Sequence, residues 1–480
     1  MWYAILGIGL LATSILSACN QGERLLQNGH LAILIWGCGV AGSALATFGA
    51  PRVHRTWILF AAFGLRALTF CGTPFLSDDV FRYVHEGRAT RIGIEVPYTI
   101  PPRDIVPPPD DGISGRVNHP EIPAVYPPFS QGLLWASVAI GDVIEKPLPT
   151  LRAVWLLFDA WLLLWFWRCR RRRPLAFGFY AFHVLPILEV GMELHLDIVG
   201  ATLCFAGWLF RFRASLAGVF WGLAAGVKPV AVLGLVSLSG TPRRLRRALL
   251  FCVLAIGATC APYVLNDVSL SSGLRSYGTR WQANPTAYAL FEKSVEAPFL
   301  RQQNEGKWLH LHIAHTPAGL WLEEGHKTVL ALGDARPVQD PWLIDQRLTA
   351  RFCCAVLFLL LTVWLSQKIR KSGLKVLGAF LAFWLLTPTL YPWYLLWVMP
   401  FGAWFRSMTI WFGCASAPLL HQAAFTRAND GIWEEALWPR VIFLLALGLG
   451  GFLDWRRWKK IRCDAPAPSA TAPPDQKLKD

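Results

Sequence analysis

"FSQGLLWASVAIG", residues 129–141, is the stretch whose reading decides how this chain threads a membrane. It falls short of the roughly 20 apolar residues that cross a bilayer as a helix. Counted as a crossing, it would put the arginine burst "RCRRRR" at 168–173 on the outer side. Loops on the cytoplasmic side carry the excess of Lys and Arg, so that reading is disfavoured. Taken instead as an amphipathic helix lying on the outer surface, it leaves every basic burst inside. Those bursts are "PRVHRT" at 51–56, "RFR" at 211–213, "RRLRR" at 243–247, "QKIRK" at 367–371 and "RRWKKIR" at 456–462.

Composition agrees with that threading. Of 480 residues, 54% are hydrophobic, only 16% are charged, and 24 are tryptophan. Apolar residues gather in runs of about 15 to 20, which predicts an all-α, polytopic transmembrane helix bundle of about 12 to 14 spans. The crossings are expected near 2–19, 31–49, 57–71, 149–167, 175–191, 196–210, 215–228, 229–240, 248–265, 349–366, 375–390, 392–405, 408–422 and 439–454. The chain then divides into an N-terminal hairpin (1–56) and a module (57–265) carrying the first exterior loop (72–148). A second exterior loop (266–348), C-terminal spans (349–462) and a Pro- and Ala-rich tail (463–480) follow. The formal charge of +15 lies in short bursts between apolar runs, which points to the lipid bilayer as partner and away from nucleic acid. "MWYAILGIGLLATSILSACN" ends like a lipoprotein cleavage box, but no Lys or Arg precedes it, so an uncleaved first helix is expected. The cysteines read as small apolar residues, with no metal-ligand spacing.

The first exterior loop opens with "FLSDDVFRYVHEGRATRIGIEVPY", residues 75–98. With Ser77 or Asp78 as cap, Asp79, Arg82, Tyr83 and Glu86 share one helical face. In isolation, Asp78 as a helix cap and an ordinary surface ion pair of Asp79 with Arg82 explain this better. Further along come Tyr98 and "NHPEIPAVYPPFSQ", with His119, Tyr126 and a Pro127-Pro128 pair that stiffens the approach to the surface helix. "LEVGMELHLDIVG" places Glu189, Glu193, His195 and Asp197 at a turn between two crossings, where His195 and Asp197 diverge too far to form a metal site and the group suits a polar wall. Lys228 lies at the end of a short segment, while Arg66 and Asp159 sit inside apolar runs and need partners there. The second loop offers Arg275, Tyr277, Arg280, Trp281 and Asn284, and "LTPTLYPWYLLWVMPF" offers Tyr391, Trp393 and Tyr394. Guanidinium groups suit a phosphate, and aromatic rings suit a sugar face.

In their order, "SDDVFRYVHEGRATRIGIEVPY", "NHPEIPAVYPPFSQ", "HLDIVG", "AAGVKP" and "YPWYLLWVMPF" resemble the C-type membrane glycosyltransferases (the GT-C superfamily). The nearest likeness is to bacterial mannosyltransferases that use polyprenyl-phosphate mannose. The resemblance covers roughly residues 57 to 400. It implies a GT-C-like architecture with juxtamembrane helices in two long exterior loops, in the bacterial cytoplasmic membrane, with the site facing the periplasm. It carries over Asp79 as catalytic base and Asp78 as second candidate, since Asp79 stands in the family's Asp-x3-Tyr-x3-Gly spacing to Tyr83 and Gly87. Related aminoarabinose transferases place a lysine near the donor phosphate in a context similar to Lys228-Pro229, and an aspartate like Asp197 nearby. This chain has His85-Glu86 where the mannosyltransferases usually have Trp-Asp, which bears on the sugar.

The resemblance implies inverting transfer of a hexose, mannose favoured, from a polyprenyl-phosphate sugar to a glycan or lipid acceptor. A carboxylate would take the acceptor proton, and Arg82, Lys228, Arg275 and Arg280 are the candidate partners for the departing phosphate. No metal and no cofactor is expected, because a phosphate is already a good leaving group. A transporter or flippase for an anionic lipid-linked substrate is the alternative; it would carry paired repeats, which the sequence does not display.

Overall fold

The computed structural model describes residues 1–105, 112–294 and 346–463. Most of the second expected loop (295–345) and the tail from 464 onward lie outside the described residues. So does the side chain of Arg280. Among the described residues the chain is helical throughout, without a named strand; one isolated bridge joins Ala283 to Thr389.

Six helices are long and apolar enough to cross a membrane: Trp2–Gln27, Gly29–Arg52, Pro147–Cys169, Pro242–Val264, Thr349–Lys368 and Leu437–Lys459. They mark an integral membrane protein. A seventh span arises if Pro174–Ala181 and Val184–Met192, bent by 40° at their break, count as one. Length and composition therefore support six or seven spans where the apolar runs suggested about twice as many. The remaining runs form shorter helices, among them Arg55–Leu68, Asp197–Leu209, Ala214–Ala225, Pro229–Leu238 and Ser372–Leu386. Eleven of the residues of Asp197–Leu209 are buried in protein, so this helix has neighbours in place of lipid. Short and broken helices are tolerated at membrane depth where protein surrounds them.

Proline sets many of the starts. Pro128, Pro147, Pro174, Pro229, Pro242 and Pro392 each occupy the first position of a helical segment. Their missing N–H is unpaired there in any case, and the fixed φ suits helix entry. The first two helices pack through small residues: a Cβ on Gly7 would fall 2.4 Å from the Ala46 backbone nitrogen. Such close approach is how helices bind each other where lipid gives no hydrophobic drive.

The run at 129–141 lies within a 16-residue helix, Pro128–Val143, too short to be counted among the spans. It packs on Asp79–Ile92, and leaves Trp135, Ile140 and Val143 exposed. The basic bursts meet one another at the opposite end of the bundle. There Arg173 lies over Trp404, Arg211 over Trp208 and Arg244 over Phe212, while Arg247 bonds Ser215.

The two charges left without partners by the sequence find each other. Arg66 Nε donates to Asp159 Oδ2 at 2.7 Å, Arg66 Nη1 donates to the Ala181 carbonyl at 2.5 Å, and the Tyr180 hydroxyl donates to Asp159 Oδ1 at 2.7 Å. Both charged side chains are almost wholly buried. Removing one partner strands the other, so Asp159→Ala should destabilise the protein by about 3 to 5 kcal/mol, whereas the double variant Arg66→Met/Asp159→Leu should recover most of that loss. Thermal unfolding of the purified protein in detergent measures both; equal destabilisation by the single and double variants would refute the pairing.

Candidate functional site

The segment that carries the two aspartates is held from beneath. Glu193 is fully buried, and its carboxylate accepts from three successive backbone N–H groups: Phe75 (3.4 Å), Leu76 (2.9 Å) and Ser77 (3.2 Å). Ser77 Oγ then accepts from the Asp79 N–H at 3.3 Å, and the helix Asp79–Ile92 begins. Asp78 occupies the cap position but makes no side-chain cap bond. Its carboxylate turns to the surface, 3.6 Å from Arg427. Partial desolvation raises the Asp78 pKa above the usual carboxylate range, with Arg427 and Arg116 pulling it back.

Arg82 does not pair with Asp79. Its Nε donates to Glu86 Oε1 (2.8 Å), Nη1 to the Asn118 and His119 carbonyls, and Nη2 to the Ile122 and Pro123 carbonyls. All five donors of the guanidinium are thus engaged in folding the first loop over the helix. Glu86 is equally occupied, since its second oxygen accepts from Gln131 Nε2 at 2.6 Å. Tyr98 donates to the Tyr126 carbonyl at 2.7 Å and serves the same loop. What this loop delivers is Asn118, whose Nδ2 donates to Asp79 Oδ1 at 2.7 Å.

A second group comes from broken helices. Lys228 is in extended backbone between Ala214–Ala225 and Pro229–Leu238. Its ammonium donates to both oxygens of the buried Asp197, at 2.7 and 2.8 Å, and lies 4.1 Å over the Tyr394 ring. Trp397 Nε1 also donates to Asp197, at 2.6 Å. Two of the three ammonium donors are thus taken by Asp197, and the third has no hydrogen-bond acceptor among the described residues. The Gly226 carbonyl at this break accepts from both the backbone and the hydroxyl of Ser130, which ties the break to the helix Pro128–Val143.

Aromatic rings join the two groups. Trp281 Nε1 donates to the Tyr391 hydroxyl at 3.2 Å, and the Tyr277 and Tyr394 hydroxyls are bonded to each other. Tyr391 stacks on Trp393 (4.4 Å between centroids), which stacks in turn on His195 (3.9 Å). His119, at the loop surface, meets Trp281 edge-on at 4.2 Å. Its burial lowers its pKa, so its ring is neutral at pH 7. The Tyr83 and Tyr126 hydroxyls lie 3.2 Å apart, and the charges of both Asp79 and Asp197 act on Tyr83, Tyr126 and Tyr277. The two carboxylates therefore face one cluster of phenols. Of the chain's ten tyrosines, five belong to it: 83, 126, 277, 391 and 394.

His195 and Asp197 do diverge, one towards Glu189 and the other towards Lys228. His195 Nδ1 lies 3.0 Å from Glu189 Oε2, but badly angled for a hydrogen bond, while Glu189 Oε1 meets His421 Nε2 at 3.0 Å. Among the described residues no three His, Cys, Asp or Glu side chains form a metal-binding group. Arg275 is exposed on the helix Ser272–Arg280. That helix sits on the first loop, where a Cβ on Gly273 would fall 2.3 Å from the Ala124 carbonyl oxygen.

Asn118, Trp397 and His421 were not among the residues that the sequence pointed to. Asn118 had one signal, its place beside a proline-flanked turn in "NHPEIP"; His119 there adopts a positive φ of 45°. Glu193 was marked as part of a polar turn, but its role as a clamp was not, because its partners are backbone groups more than a hundred residues earlier. Glu193→Ala should raise amide exchange at Phe75, Leu76 and Ser77 by about tenfold, since a buried donor that loses its acceptor costs roughly 1 to 3 kcal/mol. Arg427→Ala, which removes the ion pair with Asp78, should leave those amides unchanged; protection unaltered in Glu193→Ala would contradict the clamp.

Compared with known proteins, the chain matches no family model, no curated protein and no solved structure.

Proposed function

We propose that the chain is an inverting glycosyltransferase that moves a hexose, mannose favoured, from a polyprenyl-phosphate donor to a glycan or lipid acceptor at the outer membrane face. The observation that carries this reading is the pairing of an oriented carboxylate, Asp79 on Asn118, with Lys228 across one cluster of phenols and indoles. In this reaction the acceptor oxygen forms a bond to the anomeric carbon as the bond from that carbon to the phosphate oxygen breaks. The acceptor proton goes to Asp79, and the electron pair leaves with the polyprenyl phosphate. Lys228 has a spare donor for that phosphate, and Asp197 with Trp397 keeps the ammonium in place. Arg82 acts through the loop it folds, because its donors are taken. Tyr391 and Trp281 offer rings for a sugar, with Trp393 stacked behind Tyr391.

Asp79 is favoured over Asp78 as base because it faces the cluster while Asp78 faces Arg427 at the surface. Transport of a lipid-linked anion is the second reading, supported by the discontinuous helices around Lys228 and around His183. Purified wild-type, Asp79→Ala and Asp78→Ala proteins assayed with defined polyprenyl-phosphate sugars separate these. Loss of a general base should lower transfer by about 10²- to 10⁴-fold in Asp79→Ala, with a smaller loss in Asp78→Ala. Full activity in both would remove the base assignment, and lipid movement without a new glycosidic bond would install the transporter. Transfer should persist in EDTA; its abolition would show that the departing phosphate needs a divalent ion.

A further inference from the structure

The far end of the bundle, where the basic bursts meet, holds a group of arginines that the proposed chemistry does not use. Arg406 closes the helix Met399–Phe405 in the left-handed region, with φ 54° and ψ 45°. Glycine is the usual residue at such a helix end, since a Cβ crowds the backbone there. An arginine at this position puts its side chain where the fold alone would ask for none. Arg406 Nε is buried and has no hydrogen-bond partner. Two more guanidiniums bear on it. Arg173 donates to the Trp404 carbonyl at 3.0 Å, with its guanidinium 4.3 Å over the Trp404 ring, and Arg457 donates to the Arg406 carbonyl at 3.2 Å. The positive charges of both act on Arg406.

Among the described residues, none of the three has a carboxylate within ion-pair distance. Asp454, on the same helix as Arg457, is already occupied: it accepts from Ser407 Oγ, from the Met408 and Thr409 N–H groups and from Thr409 Oγ1. Beside it, Trp455, Trp458 and Lys459 line a cleft of about 360 Å³. Towards the membrane the same helix exposes Leu445, Leu449, Phe452 and Trp455. A surplus of three positive charges thus ends an apolar, lipid-length face.

We propose that this corner binds an anionic phospholipid of the adjacent leaflet, with its phosphate on Arg406 between Arg173 and Arg457 and its acyl chains along the helix Leu437–Cys463. The charge and the apolar face complement the two parts of such a lipid, and a basic residue at a membrane surface favours an anionic headgroup about fivefold. This site is independent of the glycosyl-transfer reading.

The test uses the purified full chain and native mass spectrometry with phosphatidylglycerol or phosphatidylcholine. Phosphatidylglycerol should be retained preferentially by the wild type. Arg406→Gly suits the left-handed backbone, so it should keep the fold while lowering that preference about fivefold, and Arg406→Lys should keep most of it. Arg173→Gln serves as a second variant and should lose a similar factor. Equal retention of the two lipids by the wild type, or an undiminished preference in both Arg406→Gly and Arg173→Gln, would overturn the proposal. So would displacement of phosphatidylglycerol by millimolar inorganic phosphate, which would make the site one for a soluble anion.

Discussion

The buried bond between Arg66 and Asp159 is the constraint on which the loop end of the protein depends. A charge at that depth is tolerated only when paired and hydrogen-bonded, and here each charge makes further bonds that extend the pair. Tyr180 donates to the carboxylate, and the guanidinium takes the Ala181 carbonyl exposed where the helix Pro174–Ala181 stops. That break lets the chain turn at His183, whose ring accepts from the Leu185 N–H and meets the Trp411 carbonyl. The wide π-helical turn Ile187–Met192 follows and leads to Glu193, His195 and Asp197. One ion pair thus stands under the residues that hold the Asp79 segment and Lys228.

Charge at the site divides into two kinds. Arg82, Glu86 and Glu193 have their bonding capacity filled by the protein, and they set the shape of the first loop. Asp79 and Lys228 each keep capacity to spare while being oriented by one or two neighbours. Groups oriented in advance but incompletely satisfied are what a binding or reacting centre requires, because little reorganisation is needed when a partner arrives. The aromatic column from His195 through Trp393 to Tyr391 gives that centre a rigid wall.

Much of the fold was legible in the order of apolar runs and basic bursts. The 129–141 stretch forms a short helix beside Asp79–Ile92, and the bursts gather at one end. The number of spans was not legible. Hydropathy reports that a segment avoids water without saying whether lipid or protein replaces it, so a helix enclosed by protein, such as Asp197–Leu209, reads the same along the chain as one that faces lipid. The site was legible in part. Asp79, Lys228, Asp197 and the "YPWY" rings were marked by residue type and position, whereas Arg82 looked like a phosphate ligand and is a loop strut.

The sequence by itself determined that the chain is a helical membrane protein and which polar residues stand near helix ends. Period, length and local charge are properties of neighbouring residues, so they can be read along the chain. Only the tertiary structure decided the partners: Arg66 with Asp159, Asn118 with Asp79, Glu193 with three backbone amides, and Lys228 with Asp197. Each of these joins positions far apart in sequence, and in a low-dielectric interior the choice of partner depends on distance and angle in three dimensions, which no local pattern encodes.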